Sequence, residues 1–218
     1  MDFLDCLPAA ERLSVLFEGE RRLHARGADI IREGQRGGEV LIILRGRAAV
    51  ERQAPNGRRV IVAVCLSGSL VGEMSAVDGG PYSATVRALE TVETVSVSGA
   101  RFRRLLDQHS GVANLVMRGL CARLRDADRR LVELGAGDAV GRVCARVAEL
   151  ADEHGQVTAA GIRVTLPLSQ EELAGYTGLS REAVSRVLGV MRRSGWISTA
   201  RRAVIVHDLD AVRRASLR

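Results

Sequence analysis

The chain has 218 residues, 46% of them apolar, which is enough for two domains with real cores and excludes a disordered protein. No apolar run approaches the roughly 18 residues of a membrane span, and the opening MDFLDCLPAAERL carries acids where a signal peptide needs positive charge. We therefore expect a cytoplasmic protein with no membrane partner. The net charge is +6, and residues 163–218 hold 10 arginines against five acids, which suggests a polyanionic partner.

Residues 28–98 are predicted to form short strands. The apolar runs in EVLIILRGRAAVERQ and RRVIVAVCL are interrupted by turn signals at Arg45-Gly46, Pro55–Gly57 and Ser67–Ser69. SATVRAL and ETVSVS alternate between apolar and polar residues, as strands with one buried face do. Many short strands joined by glycine turns indicate an antiparallel barrel or jelly roll, the β part of an α+β fold.

A long helix follows the strands, and its apolar residues repeat at heptad spacing. A narrow stripe of this kind is better suited to pairing with a second helix than to covering a broad core, so we predict a homodimer seam. The alternative is a helix packed on its own barrel. Gly135–Asp138 should end the helix as a hinge, with Asp138 capping the next helix. The seam positions are Ala113, Met117, Leu120, Leu124, Ala127, Leu131 and Leu134.

The segment LPLSQEELAGYTGLSREAVSRVLGVMRRSGWI predicts a helix–turn–helix. Ser169 and Glu172 form a capping box, Thr177–Leu179 breaks the first helix, and Ser180 caps the second. Apolar residues on the facing sides of the two helices would pack together and hold the helices at a steep angle. The run from Trp196 through AVIVHD suits a small β-wing.

The second of these helices is expected to enter the major groove of double-stranded DNA with its N-terminal end. Arg181 and Arg186 offer bidentate forks to guanine, and Glu182 can accept from a cytosine amino group. Other polar residues are better suited to phosphates, which fix register without reading sequence. The complete predicted DNA-binding set is Ser169, Gln170, Ser180, Arg181, Glu182, Ser185, Arg186, Arg201 and Arg202.

These motifs together resemble the CRP/FNR family of bacterial transcription regulators, from about Ile30 to Val206. The resemblance rests on IIREGQRGGEVLIILRGRAAV, LVGEMSAVDGGPYSATVRA, the long helix and LSREAVSRVLGVMRRSGWI. It implies a cyclic-nucleotide-binding-like barrel over residues 1–110, a dimerisation helix and hinge over 111–137, and a winged helix–turn–helix over 138–218. It also implies a palindromic DNA site with TGTGA-like half-sites, read by the trio Arg181, Glu182 and Arg186, and RNA polymerase as a further partner.

The stretch GEMSAVDGGPYSATVR, Gly72 to Arg87, matches the ligand cradle of cyclic-nucleotide-binding members. The resemblance implies that Glu73 takes the ribose hydroxyl and that an Arg-Ser pair takes the phosphate, but Tyr82 stands at the arginine position. Burying a phosphate without a cation is costly. The helix positions that would supply base-binding hydroxyls also differ. The matched set is Gly72, Glu73, Tyr82, Ser83, Ala84, Ala127 and Asp128.

Three effector states therefore stay open: ordinary cyclic AMP binding, a different effector, or no effector. No cofactor is required by the sequence. Arg87 would either substitute for the missing cation or pair with Glu73, and Tyr82 would either pack toward the cradle or lie exposed in a loop.

Other classes of protein are less well supported by the residues. A cupin-type enzyme needs histidines in its strands, and none lies between Ala25 and Gln108; no paired nucleophile and base stands out, so no catalytic residue is predicted. The cysteines have no C-x-x-C spacing, so free thiols are expected and no metal site is predicted. Haem ligation through a single Cys or His stays open. A cyclic-nucleotide-binding module that acts through protein contacts alone is a further alternative. The cysteines are Cys6, Cys65, Cys121 and Cys144.

Overall fold

The structure is a computed structural model that describes residues 3–55, 57, 59–165, 169–200 and 203–217. The chain divides into two compact units, Met1–Arg125 and Asp126–Arg218, and the boundary falls inside one long helix. The helices of the first unit and the long helix are α1 Ala9–Glu18, α2 Glu73–Asp78, α3 Gly99–Gln108 and α4 Ser110–Ala136.

The strands of the first unit form two four-stranded antiparallel sheets, with orders β1-β8-β3-β6 and β2-β7-β4-β5. This arrangement confirms the predicted antiparallel strands and two of the predicted turns, at which Gly46 and Gly68 have positive φ. The predicted turn at Pro55–Gly57 includes Asn56, which lies outside the described residues. The strands are β1 Glu20–His24, β2 Asp29–Ile31, β3 Glu39–Arg45, β4 Ala48–Gln53, β5 Arg59–Cys65, β6 Leu70–Val71, β7 Thr85–Ala88 and β8 Val92–Ser98.

Strand β3 explains how the two cores of this unit are divided. Val40 and Ile42 point into a core shared with Phe102 and other residues of the helices, whereas Leu41 and Ile43 point into a second core with residues of the other sheet. Both faces of the strand are buried, which is why its sequence is a continuous apolar run rather than an alternating one.

In its described residues, the second unit contains a small sheet and four helices beyond the end of α4. Its strand order is β11-β12-β10-β9, all antiparallel, so the predicted wing strands β11 and β12 pair with a hairpin that the sequence analysis did not identify. The elements are α5 Ala139–His154, β9 Gly155–Thr158, β10 Gly161–Val164, α6 Gln170–Thr177, α7 Arg181–Arg193, β11 Ile197–Ala200, β12 Ala203–Val206 and α8 Leu209–Ala215.

Helix α4 has one stripe that packs and one that stays exposed. Val112 and Val116 are buried in the first core, and Leu120 packs partly against it, so the alternative of a helix lying on its own barrel holds for this stripe. Leu120 is one of the predicted seam positions, so the two stripes share it, but four other seam residues are more than half exposed. These are Met117, Leu124, Leu131 and Leu134.

Candidate nucleic-acid interface and effector cradle

Local capping positions the two helices of the helix–turn–helix. The Ser169 hydroxyl accepts from the Glu172 backbone N–H at 3.1 Å while the Glu172 carboxylate accepts from the Ser169 N–H, which confirms the predicted capping box. Gly178 ends α6 with φ of 70°, a left-handed conformation that favours glycine. The Ser180 hydroxyl then accepts from the Ala183 N–H at 3.2 Å and starts α7.

Apolar residues fix α7 on α6 and leave its other face in solvent. Val184 and Met191 are fully buried, and Leu173 of α6 is nearly so. The polar residues fall between these positions because apolar residues recur every three to four residues along an α-helix. Arg181 and Arg186 are therefore exposed on the outer face of α7.

The outer face of α7 lines a shallow depression of about 550 Å³. Five of the nine predicted DNA-binding residues come together here, although Gln170 belongs to α6 and the other four to α7. Three lining residues were not predicted: Gly189, Arg192 and Arg193. Gly189 and Arg192 lie four and seven positions after Ser185, and this helical spacing was the signal that could have identified them. The complete lining is Gln170, Arg181, Glu182, Ser185, Arg186, Gly189, Arg192 and Arg193.

Glu182 stays charged on this surface. Its own backbone N–H and the Ser180 hydroxyl hydrogen-bond to the carboxylate, and Arg181 and Arg186 add attraction, so the pKa of Glu182 is lowered. An ionised carboxylate accepts hydrogen bonds and does not donate them, which matches the amino group of cytosine in the major groove.

The remaining predicted DNA-binding residues have other positions. Ser169 and Ser180 are exposed, and their hydroxyl oxygens serve as the helix caps described above. Arg201 and Arg202 lie outside the described residues. Arg192, at the other end of α7, donates to the Thr199 hydroxyl of β11 at 3.1 Å and so joins the helix to the wing.

In the first unit, Tyr82 lies beside the glycine of the cradle and bonds to the protein's own backbone. The Tyr82 hydroxyl donates to the Glu39 carbonyl at 2.8 Å, and the Glu39 N–H lies 3.3 Å from the same oxygen. The tyrosine ring packs partly against the second core. Gly72 has φ of 84°, and a Cβ built on it would lie 3.1 Å from Tyr82 Cε1. Tyr82 therefore packs toward the cradle and does not extend from a loop.

Glu73 is buried and already paired. Its side chain is 4% exposed and forms an ion pair with Arg123 of α4, whose other terminal nitrogen donates to the Leu70 carbonyl at 2.9 Å. The carboxylate that the family resemblance assigns to a ribose hydroxyl is thus held by an internal cation. Ser83 is exposed, and its hydroxyl lies 3.9 Å from the Met74 sulfur.

Arg87 does not pair with Glu73, and neither does it enter the cradle. It contacts Glu51 at 3.0 Å and Asp29 at 2.9 Å. The sheet register explains why Arg87 contacts Asp29, because β7 pairs with β2 so that the two residues are directly opposite each other.

The other predicted cradle residues are distributed as follows. Ala84 is half-buried beside Ser83. Ala127 and Asp128 are both exposed on α4, in the second unit. Among the residues that the structure describes, no three His, Cys, Asp or Glu side chains gather as metal ligands, and no helix is long and apolar enough to cross a membrane.

The winged helix–turn–helix with its basic outer face, together with the two antiparallel sheets of the first unit, defines a DNA-binding transcription regulator. A family model described as a cyclic nucleotide-binding domain matches residues 21–109, and one described as a Crp-like helix-turn-helix domain matches residues 141–215. The chain belongs to the CRP/FNR family of transcription regulators.

Relatives of known function support this membership. The chain is 30% identical over 189 residues to a CRP-like cAMP-activated global transcriptional regulator of Mycobacterium tuberculosis, covering 87% of this chain and 84% of that protein. It is also 30% identical over 176 residues to a cyclic AMP receptor protein of Thermus thermophilus, covering 81% and 78%. A CRP-family transcriptional regulator, also from Thermus thermophilus, has a similar structure, with a TM-score of 0.74, 28% identity and coverage of 90% and 97%.

Proposed function

We propose that this regulator binds a palindromic DNA site with TGTGA-like half-sites as a homodimer, and that each protomer places α7 in the major groove. The observation that carries the proposal is the convergence of Gln170, Arg181, Glu182, Ser185 and Arg186 on one exposed surface. Two arginines and one ionised carboxylate provide the guanine and cytosine contacts of such a half-site. Gln170 and Ser169, at the N-terminus of α6, are positioned for phosphate contacts that set the register.

The exposed stripe of α4 supports the homodimer. Four leucine and methionine side chains more than half exposed at heptad spacing are costly in water, and a second copy of the same helix would cover them. A two-fold dimer also accounts for a palindromic site, because each protomer presents the same α7 to one half-site.

We further propose that the barrel has an altered effector pocket. The residues of the cradle do not fit a cyclic nucleotide held by an Arg-Ser pair. Tyr82 is neutral and its ring lies against Gly72, while Glu73 is engaged by Arg123. A neutral hydroxyl bonds a phosphate about half as strongly as an arginine does. The regulator thus takes a different effector or needs none.

A second candidate is a conventional cyclic-AMP-activated regulator, which the names of the Mycobacterium and Thermus relatives favour. A third, a module that acts through protein contacts without DNA, is opposed by the basic surface of α7. On our proposal the protein binds DNA and catalyses no reaction. It acts in the cytoplasm, where the chromosome lies, and contacts RNA polymerase.

Selection from a library of random DNA duplexes tests the DNA-binding part of the proposal. We expect the retained sequences to share a palindrome with two half-sites about one helical turn apart. Retention without any shared sequence would overturn sequence-specific recognition. Titration calorimetry with cyclic AMP, with and without the selected duplex, tests the pocket. Tight cyclic AMP binding that increases DNA affinity would support the conventional regulator instead.

A further inference from the structure

A cluster of buried charges joins three helices of the second unit. Arg130 and Glu133 come from the end of α4, Arg146 and Glu149 from α5, and Tyr176 from α6. The Arg146 side chain is only 3% exposed and that of Glu149 only 11%. We call these five residues the Tyr176 cluster. None of them belongs to the DNA-binding surface of α7.

The Tyr176 hydroxyl connects α6 to both other helices. It donates to Glu149 Oε1 at 2.9 Å and accepts from Arg130 Nη2 at 2.9 Å, while Arg130 itself lies 2.7 Å from Glu149. The Arg130 guanidinium also lies 4.7 Å from the centre of the Tyr176 ring, within cation–π range. Burial and the Glu149 charge raise the pKa of Tyr176, so the hydroxyl keeps the proton that it donates.

Arg146 completes the charge balance of the cluster. Its guanidinium contacts Glu133 of α4 at 2.6 Å and Glu149 at 2.5 Å, and lies 5.6 Å from the Tyr176 ring centre. Two arginines thus face two glutamates. Because an unpaired buried charge is costly, the helices cannot shift far without breaking a pair that water does not replace.

The cluster is directional, whereas the apolar contacts nearby are not. Hydrogen bonds require narrow distances and angles, but apolar burial depends mainly on area. Helix α6 in turn carries α7 through buried residues such as Leu173 and Val184. The turn between them is close to α4 as well, because a Cβ built on Gly178 would lie 3.3 Å from Leu134 Cδ2. Tyr176 therefore links α6, and through it α7, to the last turns of α4.

We propose that Arg130 and Tyr176 are positioning residues for DNA recognition. They hold α7 at one angle to the end of α4 and, in a dimer joined along α4, set the separation of the two recognition helices. The half-site spacing that the protein accepts then follows from this cluster. The inference rests on the proposed function, since it needs a homodimer that binds a palindromic site.

Spacer variants of the selected duplex test the proposal. Adding or removing one base pair at the centre moves one half-site by about 3.4 Å and rotates it by roughly 35°. The affinities of wild type, Arg130→Gln and Tyr176→Phe are measured on all three duplexes. Tyr176→Phe keeps the ring and removes only the hydroxyl, so it retains the packing of α6. Arg125→Gln is the matched control, because Arg125 is an exposed arginine of α4 outside the cluster.

We expect wild type and the control to prefer the selected spacing by at least about 10-fold, and both cluster variants to reduce that preference to less than about 3-fold. Their half-site base preference and their dimerisation should remain. If Tyr176→Phe has the spacing profile of wild type, whether or not its melting temperature falls, the positioning role is wrong. If wild type itself shows no spacing preference, the palindromic homodimer of the proposed function fails instead.

Discussion

The outer face of α7 and the cradle around Gly72 both carry polar groups beside a glycine turn. They differ in whether those groups are exposed or paired inside the protein. On α7, Arg181 and Arg186 stay exposed, and Glu182 is kept ionised. In the cradle, Glu73 is buried against Arg123, and the Tyr82 hydroxyl donates to the protein's own backbone. The charged groups of α7 are exposed to an external partner, whereas the polar groups of the cradle are bonded to other groups of the protein.

The difference agrees with our proposal that α7 binds DNA and that the cradle is altered. An internal ion pair must be broken before either of its side chains can bind a ligand. A buried charge that loses its counter-charge also raises the free energy of the protein. An exposed arginine carries no such cost beyond its hydration and side-chain entropy. The following changes test the contrast, from the largest expected effect to the smallest.

The largest effect is expected from charges in the α4 seam. Leu124→Glu combined with Leu131→Glu should abolish dimerisation, because carboxylates buried between two helices are strongly unfavourable. Affinity for the palindromic duplex should then fall by more than roughly 100-fold, as the second half-site is no longer bound in the same complex. Sedimentation measures the dimerisation, and gel shift measures the affinity for the duplex. Val132→Glu is the control, since Val132 is 68% exposed on α4 but lies outside the seam; equal loss in that variant would contradict the seam.

On α7, Arg181→Ala should weaken binding to the selected duplex by about 1–3 kcal/mol and relax one base position. The reason is loss of a bidentate contact with one guanine. Fluorescence anisotropy on duplexes substituted at each position would measure the loss of affinity and identify the base position that is relaxed. Arg214→Ala is a matched control because α8 contributes nothing to the α7 depression. Equal losses on specific and unrelated duplexes would make Arg181 a phosphate contact.

In the cradle, Tyr82→Arg should increase cyclic AMP affinity on the order of 10-fold. A charge-assisted hydrogen bond to the phosphate replaces a neutral one, and the ring that lies against Gly72 is removed. Titration calorimetry measures the change. Tyr82→Phe keeps the ring without the hydroxyl and should show no gain. If Tyr82→Arg gains nothing, the tyrosine is not what limits this cradle.

At the end of α7, Arg193→Ala should weaken binding to all duplexes by a similar, smaller factor. Arg193 is distant in sequence from the N-terminal part of α7, which we propose reads bases, so we expect Arg193 to contact a phosphate. The slope of log affinity against log salt should decrease by about 1. A loss confined to one base position would instead show that Arg193 reads sequence.

The smallest effect concerns the stability of the barrel at mildly acidic pH. Burial, and then Arg22, lower the pKa of His24 below its usual 6.5. Protons therefore bind the unfolded chain first, and the free energy of unfolding decreases as pH falls below 6.5. His24→Gln should reduce this decrease in urea unfolding measured at about pH 7 and pH 5. An identical decrease in both proteins would exclude a contribution from His24.

Much of the fold could be predicted from short stretches of sequence. The capping box of α6, the cap of α7, the break at Gly178 and the cap by Asp138 depend on residues within three or four positions of each other. Their geometry is local, so the residue types suffice. The hairpin of β9 and β10 was missed because QVTAAGIRV has only a short alternating pattern next to a long helix.

The sequence alone thus determined the kinds of elements, their order, the exposed stripe of α4 and most of the α7 surface, because each follows from local periodicity and capping. Only the tertiary structure decided the partners of the charges. Glu73 meets Arg123 across 50 positions, Tyr176 meets Arg130 across 46, and Arg87 meets Glu51 across 36. Sheet register and helix packing bring these groups together, and no short segment of the chain contains that information.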